Sequence, residues 1–391
     1  MDKQAILTTN HDFRMQENDG FEFLADLSPD KGAILTRMFR HTRMSYKYFW
    51  FLALIDLVLE GNSKSIAVNE VLHQMAVRAW HPVCFFRLSF GVGDGLEEKV
   101  RVIQSASDLA NDSPRGAILS YLSSSTWATD QLGCCVQYVP TRLLQTHFTN
   151  QLARRPDQQK DALTRKLAVD SQKTRSPSIY WLRTTNDGDF VEMNSEWFDF
   201  LNVHSGIIRA FAEYGLCQFL QSKNPNIPGI VNKLHAPTSR KLIAARKFWV
   251  DVRDTFKRSG RPAWFVDIYT SKPLVESFGI DHFLPWSFVA HDLPWNLTPV
   301  SQATNSLKSD RLPRLETHLP LLASLHHRAL RMNSLHNRRI TIERLTPYAE
   351  IFNMDSESVL KLTEAEFTEK YRLVMEPQER IARYQGFRIF V

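Results

Sequence analysis

Two β-favouring runs followed by a helical run constrain the fold of this chain more than any other stretch. The first run covers residues 264–269, the second covers residues 278–284, and a turn at residues 271–273 separates them. A helical pattern then extends from Gln302 to Arg311. β-favouring runs are typical of short strands. Two such runs followed by a helical pattern therefore predict a compact module of two strands and one helix near residues 263–313.

Polar residues inside this module form a set that suits the cleavage of a phosphodiester. Asp281 and His282 stand side by side in the second run, Asn296 follows in a loop, and Asn305 and Lys308 lie one helical turn apart. Neighbouring residues on a strand face opposite sides of the sheet. One site can therefore use both Asp281 and His282 only if the strand bends or ends there.

Each residue type has a role in this chemistry. Histidine titrates near neutral pH and is the usual general base, so His282 is the candidate that activates water. Asp281 and Asn305 offer the oxygen ligands that Mg²⁺ prefers, and Mn²⁺ is expected to substitute for it. Asn296 is expected to hold the histidine or its loop by hydrogen bonds. Lys308 shares a helix face with Asn305 and is expected to contact a phosphate.

The order of these residues resembles that of the HNH (His-Me finger, ββα-metal) endonucleases. The resemblance extends from Ala263 to Pro313 and is strongest to HNH domains with Asn at the third position. Such domains occur in RNA-guided CRISPR effectors and in bacterial defence nucleases. The resemblance implies that the Asp and the final Asn bind the metal, that the His is the base and that the middle Asn is a support. No cysteine lies between residues 265 and 313, so no structural zinc is expected there.

The activity implied by the resemblance is Mg²⁺-dependent hydrolysis of DNA in bacterial defence against phage. Other subunits of a defence system are expected partners, and a homodimer is a further possibility because one HNH site cuts one strand. Two alternatives stay open from the sequence. One is a subunit that binds nucleic acid or a partner without cleaving it, and the other is a nuclease that cleaves RNA.

The rest of the chain has mainly helical patterns, which predicts a mainly α fold with a small α+β module. We expect a helical N-terminal domain at residues 1–165, a mixed helical and hairpin region at 166–262, the nuclease module at 263–313 and a helical C-terminal region at 314–391. Within them, helices are predicted at residues 31–60, 65–80, 238–258 and 356–382, and a hairpin is predicted at residues 179–193.

Basic residues give the chain a formal charge of +6 and a pI near 9.1, which favours a polyanionic partner such as DNA. Arg37, Arg40, Arg43 and Lys47 have the spacing of one helix face. They form either a solvated surface or a track for phosphates. The candidate nucleic-acid contacts are these four together with Arg246, Lys247 and Arg311.

Other aromatic and histidine residues have simpler interpretations. Tyr269 is expected in the core, although it could line the site. Trp286 and Trp295 are expected to shape the loop as hydrophobic clamps, with base stacking as the alternative. His291, beside Asp292, is expected to be an exposed loop residue with substrate contact as the alternative. Four further histidines are expected to be packing or surface groups: His318, His326, His327 and His336.

Cysteine usage and hydropathy bear on the cellular setting. The four cysteines have neither metal-ligand spacing nor the pattern of a disulfide framework, which favours a reducing cytoplasm. The apolar run at residues 48–59 is shorter than the roughly 20 residues that cross a bilayer, and it contains Asp56. We therefore expect a cytoplasmic protein without membrane insertion.

The basic stretch near residue 40 generates a testable prediction. We expect the triple substitution of Arg37, Arg40 and Arg43 by Ala to weaken DNA binding and to flatten its salt dependence. Each lost phosphate contact should lower the slope of log K against log salt by about 0.9. Fluorescence anisotropy over a series of NaCl concentrations measures that slope. An unchanged slope would assign these side chains to a solvated surface.

Overall fold

The computed structural model describes residues 28–40, 42–61, 63–237, 240–274, 277–334 and 338–391 of the chain. Contacts divide the chain into two compact units, one of residues 1–72 and 133–216 and one of residues 73–132 and 217–391. We call them unit 1 and unit 2. The four contiguous ranges expected from the sequence divide the chain differently and stay a prediction.

Helices dominate the described residues, and the predicted fold class, mainly α with a small α+β module, is confirmed. The first α-helices are α1 (Pro29–Met38), α2 (Tyr46–Gly61), α3 (Val68–Trp80), α4 (Gly95–Ala106), α5 (Arg115–Ser124), α6 (Thr126–Leu132), α7 (Val139–Leu144), α8 (Thr149–Leu152) and α9 (Asp157–Ser171). Those that follow are α10 (Ser195–Val203), α11 (Ser205–Lys223), α12 (Ile243–Arg258), α13 (Trp286–Val289), α14 (Gln302–Lys308), α15 (Leu315–Ser334), α16 (Arg338–Phe352), α17 (Ser356–Lys361) and α18 (Glu364–Tyr384).

Shorter elements complete the description. A π-helical turn at His81–Phe85 follows α3, and 3₁₀ turns occur at Gly133–Val136, Gln145–Phe148, Ile230–Lys233, Pro262–Trp264 and Pro294–Asn296. The strands are β1 (Ser65–Ala67), β2 (Tyr180–Thr185), β3 (Gly188–Met193), β4 (Gly279–His282) and β5 (Leu297–Val300). No helix in the described ranges is both long enough and apolar enough to span a membrane.

Unit 1 contains a three-stranded antiparallel sheet in the order β1-β3-β2. The hairpin predicted at residues 179–193 is confirmed as β2 and β3, with Thr185 paired to Gly188 at the turn. Residues 65–67 were expected at the start of a helix, but they form β1 because they pair with β3. The indole of Trp50 donates to the hydroxyl of Tyr180 at 3.1 Å, which connects α2 to β2.

The single helix expected at residues 31–60 is wrong, because α1 ends at Met38 and α2 begins at Tyr46. The two helices have different burial, since α1 buries one face and α2 is buried on nearly all sides from Tyr48 to Ile55. The Thr42 hydroxyl donates to the Phe39 carbonyl at 3.0 Å within the connection. Arg40 and Arg43 lie in this connection, so the basic residues do not share one helix face.

In unit 2, the two-strand-and-helix order is present, but one strand was assigned to the wrong residues. β4 pairs with β5 in an antiparallel sheet, and α14 follows β5 directly. Residues 264–269 are not a strand and form only an isolated bridge between Val266 and Pro273. The Asp267 carboxylate explains this, because it accepts the backbone N–H groups of Tyr269 and Ser301 at 3.0 and 2.9 Å. These bonds hold the segment as a tight turn.

Helix boundaries in unit 2 also differ from the expected ones. α12 begins at Ile243 rather than at residue 238. α14 ends at Lys308 rather than at Arg311, because Ser309 takes a positive φ of 49° that a helix does not accommodate. The helix expected at residues 356–382 is divided into α17 and α18, and Thr363 begins α18 with a capping box to Glu366.

The two-strand-and-helix module does not have a core of its own. Its buried residues Ile280, Phe283 and Leu297 belong to one apolar cluster with side chains from α12, α15, α16 and α18. The segment after α18 also contacts the module, because Leu312 exchanges backbone hydrogen bonds with Arg388 and Phe390 at 2.8 and 2.7 Å. The module is therefore held by helices that precede and follow it.

Packing in unit 1 yields a stability prediction at Gly215 of α11. A Cβ there would lie 2.8 Å from Cε1 of Tyr48, whose ring is buried and stacks on Phe39 at 4.5 Å. We expect Gly215→Ala to lower the free energy of unfolding by about 1–3 kcal/mol, because the ring cannot move without strain. Urea denaturation followed by circular dichroism measures the change.

Gly206 on the same helix supplies the matched control. Nothing lies within 4 Å of a Cβ at this position. Gly206→Ala should be neutral or stabilise by about 0.5–1 kcal/mol through helix propensity. Equal effects of the two substitutions would contradict the packing of Tyr48 against α11.

Candidate active site

The last two residues of β4 open onto one cleft in unit 2. Asp281 and His282 both line it, and its volume is about 620 Å³. β4 ends at His282, which meets the requirement that the strand end where two neighbouring side chains serve one site. Asn305 of α14 lines the same cleft. The structure thus brings together three of the residues expected from the sequence.

His282 is held by a carboxylate that the sequence did not identify as part of the site. The side chain is 3% exposed, and its Nε2 lies 2.8 Å from Oδ1 of Asp292. An ionised carboxylate only accepts hydrogen bonds, so it selects the tautomer with hydrogen on Nε2 and the lone pair on Nδ1. No described residue forms a hydrogen bond with Nδ1. Nδ1 is thus the ring atom that can accept a proton.

Burial lowers the pKa of His282 below its usual value, and the charge of Arg240 lowers it further, whereas the hydrogen bond and charge of Asp292 raise it in part. A lowered pKa keeps the imidazole neutral near pH 7, which is the protonation state a general base needs. The other Asp292 oxygen accepts the backbone N–H of Lys241 at 2.7 Å. Asp292 is therefore fixed on both sides.

Asp281 has one oxygen occupied by protein donors. Its Oδ2 accepts the Tyr269 hydroxyl at 2.9 Å and lies 3.0 Å from Nζ of Lys308. In the part of the chain that the structure describes, no residue donates to Oδ1. Burial raises the pKa of Tyr269 well above its usual value, and the Asp281 charge raises it further, so the phenol stays a donor. Oδ1 has no donor among the described residues and is the oxygen of Asp281 that could bind a cation.

Lys308 lies in the interior rather than at the surface. Its side chain is fully buried, and Nζ donates to the His282 carbonyl at 2.8 Å as well as pairing with Asp281. The ammonium group also lies 5.6 Å from the centroid of the Tyr269 ring. These contacts connect the end of α14 to the end of β4.

Asn296 anchors the loop between β4 and β5. Its Oδ1 accepts the backbone N–H of Leu284 at 2.8 Å, and its Nδ2 donates to the Leu284 carbonyl at 2.9 Å. Its own carbonyl accepts the Phe283 N–H at 2.8 Å. These bonds tie the end of the loop that carries Asp292 to its beginning. The role of Asn296 in catalysis stays a prediction.

Asn305 is positioned through the start of α14. The Ser301 hydroxyl accepts the Thr304 N–H at 3.0 Å as the helix cap, and the Ser301 N–H donates to Asp267. Asp267 also accepts from Tyr269, so one buried carboxylate connects the turn that carries Tyr269 to the helix that carries Asn305. Asp267 could not be recognised from the sequence, because its partners are backbone N–H groups, one two residues away and the other 34 residues away.

The available donors fit a hard divalent cation. Asp281 Oδ1 and the Asn305 amide oxygen are both oxygen ligands, and Mg²⁺ commonly takes one or two protein ligands and completes its shell with water and phosphate. Within the described ranges, no group of three His, Cys, Asp or Glu side chains forms a metal site. The site thus suits a metal that substrate and water help to hold.

The candidate nucleic-acid contacts have different surroundings. Arg246, Lys247 and Arg311 in unit 2 are exposed, and Arg246 also donates to the Phe278 carbonyl at 3.2 Å. Arg240, which the sequence did not single out, is exposed and lines the cleft. Its positive charge lowers the pKa of His282.

In unit 1, Arg37, Arg40 and Arg43 are exposed, and Lys47 is partly buried. Burial lowers the pKa of Lys47, and the charge of Arg142 lowers it further. Lys47 is therefore the least suited of the four to hold a phosphate.

The remaining histidines and tryptophans have packing contacts. His326 lies 2.7 Å from the Tyr348 hydroxyl, His327 lies 2.9 Å from the Leu362 carbonyl, and His318 accepts the Arg314 N–H at 3.1 Å. His291 is only partly exposed and packs edge to face on Trp295, which is buried like Trp286. His336 lies outside the described residues.

The geometry agrees with the comparison with known protein families. A family model described as HNH endonuclease matches residues 267–314, a range that contains Asp281, His282, Asn296, Asn305 and Lys308. No curated protein and no solved structure matches the chain. The match is to the family as a whole, and the narrower likeness to the HNH domains of CRISPR effectors stays a prediction.

The Asp292–His282 contact generates a prediction about pH. Asp292→Asn removes the two largest interactions that raise the pKa of His282, the hydrogen bond to the Asp292 carboxylate and the charge of that group, so this pKa should fall further. The acid limb of the pH profile of cleavage should then move to lower pH, while the maximal rate falls by about 10-fold or more because the tautomer is no longer fixed. Initial rates from pH 5 to 8 test this. A lower rate with an unmoved acid limb would show that His282 is not the titrating base.

Proposed function

Because residues 267–314 form an HNH endonuclease domain, we propose that this protein is a Mg²⁺-dependent endonuclease that hydrolyses DNA. The observation that carries the proposal is the common cleft of Asp281, His282 and Asn305. It joins a neutral imidazole held by Asp292 to two oxygen donors of the kind that Mg²⁺ prefers. Metal-assisted phosphodiester hydrolysis uses these components.

His282 acts as the general base. With hydrogen on Nε2 and Asp292 as its acceptor, Nδ1 takes the proton from the attacking water. The imidazolium that forms is stabilised by the Asp292 carboxylate at 2.8 Å. Burial keeps the pKa of the free imidazole low, so a large share of the protein carries the active base at neutral pH.

Asp281 Oδ1 and the Asn305 amide oxygen would hold the divalent cation, and Mn²⁺ is expected to replace Mg²⁺. The metal supplies charge neutralisation on the phosphate and on the leaving oxygen. Tyr269 and Lys308 fix the orientation of Asp281 through its other oxygen. We therefore assign Lys308 a positioning role in place of the phosphate contact expected from the sequence, because its ammonium group is buried.

We assign the phosphate contacts to exposed basic residues of unit 2. Arg240 lines the cleft that contains His282, which suits it to a phosphate next to the scissile bond. Arg246, Lys247 and Arg311 are exposed and would extend the contact along the backbone. Arg37, Arg40, Arg43 and Lys47 would form a separate contact in unit 1.

We place this activity in bacterial defence against phage and other invading DNA, in the cytoplasm where such DNA arrives. Further subunits of a defence system are proposed partners. A double-strand break needs two cuts, which a homodimer or successive visits would supply. The basis for this setting is the likeness of the Asp281-to-Lys308 order to the HNH domains of bacterial defence nucleases.

Nicking of supercoiled plasmid by the purified protein tests the proposed function. We expect nicking with Mg²⁺ and none with EDTA. His282→Ala should lower the rate by about 10²-fold or more, as expected for loss of a general base. Asn305→Ala should raise the Mg²⁺ concentration needed for half-maximal cleavage by about 10-fold or more.

His204→Ala, a partly exposed histidine of unit 1, is the matched control and should cleave at the wild-type rate. An RNA of the same sequence, assayed in parallel, reports whether the sugar matters. Cleavage that persists in His282→Ala would refute the assigned base. Absence of cleavage of DNA with any divalent metal would refute the nuclease and favour a subunit that only binds.

A further inference from the structure

We infer that the cleft beside His282 holds an unpaired nucleotide, so that DNA with a locally single-stranded residue is the preferred substrate over a fully paired duplex. This inference rests on the proposed function for the chemistry, but it makes a separate claim about binding. The claim comes from the other residues that line the cleft with Asp281 and His282.

Part of this lining comes from outside the HNH domain. Phe85, Gln104 and residues 110–112 line the cleft together with Asp281 and His282. All of them belong to unit 2. The cleft thus combines the candidate active-site residues with residues from a much earlier part of the chain.

The size of the cleft limits what can enter it. Its volume of about 620 Å³ lies within the roughly 300–1,000 Å³ of sites that enclose a small ligand. One or two nucleotides fill such a volume, whereas a turn of duplex is far larger than it. A nucleotide that enters must first leave the base stack, which costs least where it is already unpaired.

Aromatic residues offer a surface on which a base can stack. Phe85 is partly exposed in the cleft, and its ring centroid lies 6.1 Å from that of Trp286. Phe86 packs behind them, 6.0 Å from Trp286. Stacking on aromatic side chains is the main way in which proteins hold unpaired bases, and it accepts any base.

The charges favour a base over a phosphate in the interior of the cleft. Asp112 and Asp310 line it and would repel a phosphate, although Arg87 neutralises Asp310 at 2.7 Å. Arg240 is the lining cation that acts on His282, so the scissile phosphate belongs near that residue. The side chains of Gln104 and Asn111 carry donors and acceptors that match the edge of a base.

Binding without metal tests this inference independently of cleavage. The full chain in EDTA is titrated into three labelled DNAs of one sequence: a single strand, a paired duplex, and the duplex with one extra unpaired nucleotide. We expect the single strand and the bulged duplex to bind about 10-fold more tightly than the paired duplex. Fluorescence anisotropy at fixed salt gives the three dissociation constants.

Variants then assign the preference to the cleft. Phe85→Leu keeps an apolar side chain but removes the aromatic ring on which a base can stack. Asn111→Ala removes a side-chain amide that can form hydrogen bonds with the edge of a base. Each should reduce the preference for unpaired DNA by about 5-fold or more, while affinity for the paired duplex stays unchanged. A purely structural role of Phe85 would weaken binding to all three DNAs alike. Asp108→Asn, on the same segment but outside the cleft, is the matched control and should keep the full preference.

Two results would overturn the inference: equal affinity for paired and unpaired DNA, or a preference that both cleft variants retain. Neither result depends on catalysis. A preference for unpaired DNA in a protein that cleaves nothing would refute the proposed function and leave the nucleotide site intact. Cleavage without such a preference would support the proposed function and refute the nucleotide site.

Discussion

A buried ion pair between Asp281 and Lys308 is the interaction on which the site depends. Both side chains are removed from water, which costs far more than a surface pair would. The cost is offset because Lys308 also donates to the His282 carbonyl and Asp281 also accepts from Tyr269. These bonds fix β4 against α14 at the point where the two candidate site residues, Asp281 and His282, lie. Loss of one partner would leave an unpaired charge in the interior, so the pair either stays complete or the site is lost.

The two carboxylate oxygens of Asp281 have different surroundings because only one of them contacts Lys308 and Tyr269. Oδ2 belongs to the protein, and Oδ1 is left to the cleft. His282 is divided in a similar way, with Nε2 bound to Asp292 and Nδ1 open. Each of the two side chains is thus oriented through one atom, and its other polar atom is left without a protein partner in the described residues. This arrangement allows rigid placement without blocking the chemistry.

The sequence predicted the residues whose chemistry is distinctive and whose spacing is local. The Asp-His pair, Asn305 and the helix that carries it could be recognised because a strand end and one helical turn place them. Asp267 could not, because it binds backbone N–H groups of residues near and far along the chain. The same bonds explain why residues 264–269 are a turn despite their β-favouring composition. Asp292 was visible beside His291, but only the loop between β4 and β5 brings it to His282.

The basic residues at 37–47 and Lys308 show a second limit of prediction from the sequence. A spacing of three and four residues predicts one helix face only if the helix is continuous, and the break between Met38 and Tyr46 removes that condition at residues 37–47. Lys308 lies one helical turn from Asn305, but its side chain is buried in the protein and is not available for a phosphate contact. Helical periodicity alone cannot distinguish these cases, since packing against other elements determines which side is covered.

The backbone bonds that join Leu312 to Arg388 and Phe390 have a consequence for the order of synthesis. The ring of Phe390 packs edge to face on Tyr269, the residue that orients Asp281. Ribosomes make Asp281 and His282 about a hundred residues before this support, at roughly 5–20 residues per second. A nascent chain that already contains Asp281 and His282 therefore lacks the residue that packs on Tyr269, and the support of the candidate site is completed several seconds after these two residues are made.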